Sequence, residues 1–206
     1  TIIPLCVVGM LGYYHARKTL ELLAAYPVET AVASGDLSTE AGIRAVIRSV
    51  EKHPGSVDIL YNNAGIQNRW QSTWEIERAT WREIFDVNVV ALAELTNAFV
   101  PGMIERGYGR IINMSSGIRD IPELVPYSAS KAAVDKYTSD VAVELEGTNV
   151  LVSALEPGWL RTDLGGPNAP LDVTAVLPGA LVPVLLPDFG PNGEKFDAQE
   201  YEWSEE

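Results

Sequence analysis

With 206 residues the chain can bury a substantial core, and its length suits a single domain spanning 1–206. It is 47% apolar and 21% charged, as in soluble globular proteins, and its net charge of −13 argues against a nucleic-acid partner, which would need clustered Lys and Arg. Two His and a single Cys6 disfavour a metal site and rule out an internal disulfide; with no uncharged apolar run near about 18 residues, a cytoplasmic protein without membrane association is expected.

In chain order, the first apolar run is PLCVVGML (4–11), followed by a helical pattern, ARKTLELLAAY (16–26), and then VETAVASGDL (28–37). STEAGIRAVIRSVEKH (38–53) opens with a Ser/Thr cap and a Glu and reads as a helix. VDILYNNAG (57–65), GRIINMSSG (109–117) and NVLVSALEPG (149–158) share one design. Each is a short apolar run ending in small or polar residues, the pattern of a buried strand and its turn. Between them, 79–107 predicts one or two helices and 128–147 a long amphipathic helix with Gly147 near its end. Beyond about residue 160 the chain is rich in Pro and Gly. It reads as loop around a short helix or apolar segment near 172–186, suited to covering a substrate, and ends in a solvated acidic tail.

Alternating strands and helices imply a parallel sheet covered on both faces, a doubly wound α/β fold. Ligands bind such sheets outside the carboxyl ends of the strands. Asp36-Leu37, Asn62 to Gly65, Ser115-Ser116 and Pro157-Gly158 all fall at strand ends and would face one crevice.

Tyr127 and Lys131 lie four apart, on one face of the predicted helix. A cation beside a phenol favours the phenolate, so Lys131 is expected to lower the pKa of Tyr127 and fit it for proton transfer near neutral pH. A Ser116 hydroxyl from the neighbouring strand end would bond a substrate oxygen. This set suits protonation of a carbonyl oxygen as hydride reaches the carbon, and hydride transfer requires a cofactor.

The ordered set GDLS (35–38), DILYNNAG (58–65), WREIFDVNV (81–89), GRIINMSSG (109–117), YSASKAAV (127–134) and EPGWLRTDL (156–164) resembles the classical short-chain dehydrogenases/reductases. The likeness covers about residues 28–165 and implies a Rossmann-like, three-layer α/β/α fold. It also implies an NAD(P)-dependent oxidoreductase acting on a small carbonyl or alcohol substrate as a homodimer or homotetramer. It makes Tyr127 the general acid/base, Lys131 its partner and a ligand of the nicotinamide ribose, and Ser116, with Ser115 as the alternative, the group orienting the carbonyl. Asn88 is implied to hold a water linking Lys131 to solvent. Asp36 and Leu37 would face the adenine, Asn62, Ala64 and Gly65 would line the cofactor, and Pro157, Gly158, Leu160 and Thr162 would hold the carboxamide end.

Two departures stand out. The family's Gly-rich phosphate turn is absent, with only Gly9 and Gly12 followed by bulky Tyr13 and Tyr14. The interval from Gly9 to Asp36 also has room for one βα unit fewer than the family carries. The preferred reading makes PLCVVGML the family's second strand; the rival makes it the first, with a damaged turn. In either case the chain is a shortened member of the fold, and the alternative to an enzyme is an inactive binding module. Arg17 and Lys18, with no acidic residue near, favour NADP over NAD. Tyr13, Tyr14 and His15 read as packing residues, and Trp70, Trp74 and Trp81 as core or interface aromatics. Trp159, after Pro-Gly, reads as a substrate contact.

Overall fold

Val-, Ile- and Leu-rich runs closed by Asn, Ser or Gly form strands that are buried on both faces. The computed structural model describes residues 3–8, 28–30, 33, 35–52 and 55–202. Its strands are β1 (Ile3–Val8), β2 (Val28–Thr30), β3 (Ile59–Asn62), β4 (Gly109–Met114), β5 (Val150–Glu156) and β6 (Lys195–Asp197). They make one sheet in the order β2-β1-β3-β4-β5-β6, parallel throughout. The chain winds outward from β1 to β2, then returns to β3 and continues the other way. The carboxyl ends of β1 and β3 therefore flank the topological switch point, where a crevice opens.

The register decides between the two readings of the amino-terminal strand. Leu5 pairs with Ile59 and Val8 with Asn62, so β1 lies directly beside the NNAG strand and fills the central slot. The preferred placement as the family's second strand is thereby corrected. Gly9, Gly12, Tyr13, Tyr14, His15, Arg17 and Lys18, and the helix expected over 16–26, lie outside the described residues.

Helix α1 (Glu40–Glu51) starts at Thr39, whose hydroxyl accepts from the Gly42 N–H, with Glu40 favourably placed in the first turn. The stretch expected to hold one or two helices is continuous: α2 (Arg78–Phe85), a π segment (Asp86–Val90) and α3 (Ala91–Arg106), closed by Gly107 at φ +70°. Helix α4 (Val125–Glu144) carries Tyr127 and Lys131.

Period-two alternation splits the core between the sheet's two faces. Leu60, Ile111, Val150 and Val152 face α1, α3 and α4, meeting Val46, Leu95 and Met103. Ile59, Tyr61, Ile112 and Leu155 face the other way and meet Ala180, Phe196 and Ala198. That second layer is built from 3₁₀ turns at Val173–Val176, Gly179–Leu181 and Ala198–Glu200. The result is a three-layer, Rossmann-like α/β fold. The combined helix Arg78–Arg106 is long and apolar enough to cross a membrane by length and composition alone; in this fold Leu92, Leu95, Phe99 and Met103 are buried.

The solvated tail is a second correction. Lys195–Asp197 pairs with Ala154–Glu156, and Phe196 is buried. Three strand residues between charges are too few to register as a period, and their burial comes from a sheet edge set by distant residues.

Candidate active site

The turn after β4 brings the predicted residues together. Tyr127 and Lys131 are both buried on α4, and the Ser116 hydroxyl lies near enough to the Tyr127 phenol to favour its charged form. Ser116 Oγ also accepts from the Ile118 N–H at 3.2 Å. Ser115 is turned elsewhere: buried, its hydroxyl donates to Asp135 on α4. Of the two serines, Ser115 is engaged by Asp135 and Ser116 is the one that bears on the phenol's charge.

Lys131 Nζ donates to the Met114 carbonyl at 2.7 Å and lies 5.7 Å from the Tyr127 ring centroid. Burial pushes this ammonium's pKa down to about 8, against a raising pull from Asp135. The expectation that Lys131 lowers the Tyr127 pKa is corrected in this geometry. Burial pushes the phenol up, the Ser116 hydrogen bond opposes this, and the nearby Glu156 carboxylate adds to the rise. Desolvation is the largest cause of the rise.

Asn88 sits in the π segment, an irregularity common at functional sites. Its Nδ2 donates to the Ile66 carbonyl and to Ser130 Oγ, both at 2.9 Å, while its Oδ1 accepts from the Ile66 N–H at 2.8 Å. The side chain is thus a clamp between the NNAG turn and α4. Gly65 lies directly under this clamp: a Cβ there would stand 3.3 Å from Lys131 Nζ and 3.6 Å from Asn88 Oδ1.

Asn62 donates to Thr96 Oγ1 and Asn113 Oδ1, which ties β3 to α3 and β4. Its own Oδ1 is buried without a partner. With Leu37 and Ala64 it lines a small recess closed by Val87, Ala91 and Leu95. Leu37 is 1% exposed and belongs to the core. The Asp36 carboxylate accepts from the Ser38 N–H and hydroxyl, which holds it low.

Across the crevice, the Pro157 carbonyl accepts from Gln199 Nε2 at 2.9 Å, and Gly158 takes φ +81°. Leu160 bridges to Leu171, and Thr162 Oγ1 accepts from the Gly165 N–H at 2.8 Å. Trp159 is 56% exposed, its Nε1 donating to the Gly165 carbonyl. Trp74 at 93% and Trp70 at 62% exposure are not core aromatics, whereas Trp81 is half-buried beside Phe85.

Sequence reasoning missed Asp135, Glu156 and Lys195, which form a charged group behind Ser116. Lys195 Nζ lies 3.0 Å from Asp135 Oδ2 and 3.6 Å from Glu156 Oε2. Asp135 was legible, since it follows Lys131 by four on the same helical face. Lys195 lies 60 residues further along and only the sheet brings it there.

Comparison with known proteins fits this geometry. The chain is 39% identical over 135 residues to nodulation protein G of Azospirillum brasilense, covering 65% of this chain and 54% of that one. It is 32% identical over 152 residues to 5-keto-D-gluconate 5-reductase of Escherichia coli (strain K12), covering 73% and 59%. The chain thus spans about half the length of the curated relatives it matches. Among solved structures, a metagenomic short-chain oxidoreductase in complex with NADP is 31% identical, with a TM-score of 0.61 over 74% of this chain and 70% of that one. The family profile described as short chain dehydrogenase matches residues 9–170. The chain belongs to the short-chain dehydrogenase family.

Proposed function

We propose that the protein is an NAD(P)-dependent oxidoreductase that reduces a ketone or aldehyde, or oxidises a secondary alcohol, with Tyr127 as general acid/base. The observation that carries this reading is the clustering of Ser116, buried Tyr127 and buried Lys131 outside the carboxyl end of β4, where Lys131 Nζ donates to the Met114 carbonyl. Because burial raises the phenol's pKa, Tyr127 holds its proton at neutral pH and can give it to a carbonyl oxygen. Ser116 holds that oxygen.

The residues present fit a nicotinamide dinucleotide. Lys131 spends one N–H on Met114 O, leaving two donors suited to the vicinal hydroxyls of a ribose. Gly65 carries no side chain to press on Lys131: a Cβ there would stand 3.3 Å from its Nζ. Pro157, Gly158, Leu160 and Thr162 stand on the opposite wall for the carboxamide end, and Asp36 and Leu37 mark the adenine end. When bound, the dinucleotide supplies the hydride, which no side chain can. NADP is preferred to NAD, in keeping with the NADP named for the metagenomic oxidoreductase; with β1 in the central slot, Arg17 and Lys18 no longer follow a second strand and do not bear on the choice. A cytoplasmic homodimer or homotetramer completes the reading. It is supported by exposed Val90, Ile104 and Val143 along α3, α4 and the π segment.

Titration with NADPH and NADH, read by nicotinamide fluorescence and thermal stability, tests the cofactor. Tyr127→Phe tests the chemistry: turnover of an activated ketone should fall about 10²- to 10⁴-fold while the melting temperature holds. A fully active Phe variant would remove Tyr127 from the mechanism, and a chain that binds neither dinucleotide would be the non-catalytic member of the fold.

A further inference from the structure

Three successive residues at the end of β4 are each held by a different charged side chain. The Met114 carbonyl accepts from Lys131 Nζ, and the Ser115 hydroxyl donates to Asp135. The Ser116 carbonyl accepts from Lys195 Nζ at 3.0 Å. The first two tethers come from α4, one helical turn apart. The third comes from β6, on the far side of β5.

Lys195 is itself fixed. An ammonium has three N–H donors and no acceptor, and around Nζ stand the Ser116 carbonyl, Asp135 Oδ2 at 3.0 Å and Glu156 Oε2 at 3.6 Å. Asp135 closes the circuit by taking Ser115 on one oxygen and Lys195 on the other. Glu156 presses on the next residue: a Cβ at Gly117 would fall 1.8 Å from Glu156 Oε1, so only a glycine lets the carboxylate lie there. The turn Ser115–Gly117 is therefore gripped from behind by a cation and two carboxylates, while its front carries the Ser116 hydroxyl to Tyr127.

Resting on the reaction proposed above, we propose that Lys195 is a positioning residue for Ser116: its ammonium, oriented by Asp135 and Glu156, holds the Ser115–Gly117 turn so that the Ser116 hydroxyl meets the phenol and the substrate oxygen. Lys195 touches neither the phenol nor the reacting carbonyl, so its effect must pass through Ser116.

The test is a double-mutant cycle on ketone reduction, with amide hydrogen exchange measured in parallel. Ser116→Ala should lower kcat about 10²-fold, the cost of one lost donor to a developing oxyanion. Lys195→Met keeps the stem but removes the donors. It should lower kcat about 10- to 100-fold through misplacement, with KM changed less than about threefold. In the Ser116→Ala background the same Met substitution should cost less than about twofold, because residues acting as one unit are not additive. Lys195→Arg, which restores a cation with donors, should recover activity to within about threefold of the wild type. Exchange at residues 115–118 should speed at least about tenfold in the Met variant, with the rest of the sheet unchanged. Equal losses in both backgrounds, or unchanged exchange at 115–118, would overturn the proposal. A wild-type chain that binds dinucleotide but reduces no ketone would sink the functional reading instead, and the exchange result alone would then decide whether Lys195 holds the turn.

Discussion

The turn after β4 and the segment 157–202 face each other across one crevice and are held by different forces. At the β4 end, buried Lys131 and half-buried Asp135 from α4 and exposed Lys195 from β6 fix three consecutive residues. Along 157–202, outside β6, the bonds tie the segment mainly to itself: Thr162 and Trp159 to Gly165, Arg161 to Ala169, Pro170 and Asp172, and Gln199 to Pro157 and Ala175. That segment leaves Trp159, Leu185 and Phe189 exposed. Groups mounted on regular elements with charged supports hold a tighter geometry than groups on turns. Under the proposed function, reaction chemistry is assigned to the first wall, and substrate and cofactor shape to the second.

Tyr127→Phe, at the first wall, is the sharpest way to break this division, with its expected loss of about 10²- to 10⁴-fold. Trp159→Ala at the second should raise KM several-fold and leave kcat within about twofold. Steady-state kinetics on both variants checks the contrast, and a large kcat loss in the Trp159 variant would erase it.

Next in size is the pH dependence of the first wall. The Lys131 pKa is lowered to about 8 in the native chain, against 10.5 for an ordinary lysine. Between those values the unfolded chain binds more protons, so stability should rise with pH there. The gain from pH 8 to 10 should be about 2–3 kcal/mol. Above pH 10 the trend reverses, because buried Tyr61 and Tyr127 keep protons that the unfolded chain sheds. Lys131→Met should flatten the rise; urea denaturation at pH 7.5, 9 and 10 reads it, and a slope unchanged in the variant would assign the effect elsewhere.

Smaller effects are expected at the second wall. Gly158→Ala meets φ +81° and places a Cβ 3.0 Å from Gln199 Cγ and 3.1 Å from Leu171 Cδ1. The left-handed conformation should cost about 1–2 kcal/mol; both neighbours are side-chain atoms that can shift. Gln199→Ala removes two hydrogen bonds to backbone carbonyls at a partly solvated site and should cost about 1 kcal/mol. Chemical denaturation measures both, and a Gln199 variant more damaged than the Gly158 one would show that the side-chain brace, not the backbone turn, sets this wall.

Much of the first wall was legible in the sequence. Tyr127 and Lys131 sit at helical spacing, and Ser116 ends an apolar run, so local pattern alone put them on neighbouring elements. The charge of Lys131 was legible too, but its effect was not. Whether an ammonium lowers a phenol's pKa depends on where its hydrogen bond points and how much water is excluded, and here burial dominates. Asn88 was found by its place in a motif, yet its job as a clamp depends on Ile66 and Ser130 arriving beside a π segment.

By itself the sequence determined the alternation of strands and helices, the strand ends that lie on one edge of the sheet and the residues proposed to carry the chemistry, because each depends on short-range periodicity or spacing. Only the tertiary structure decided that β1 takes the central slot, that Lys195–Asp197 closes the sheet, and that Lys195 reaches Ser116 across β5. Those facts depend on register and on contacts between distant segments, for which parallel strands, joined only through long crossovers, leave no short-range signal.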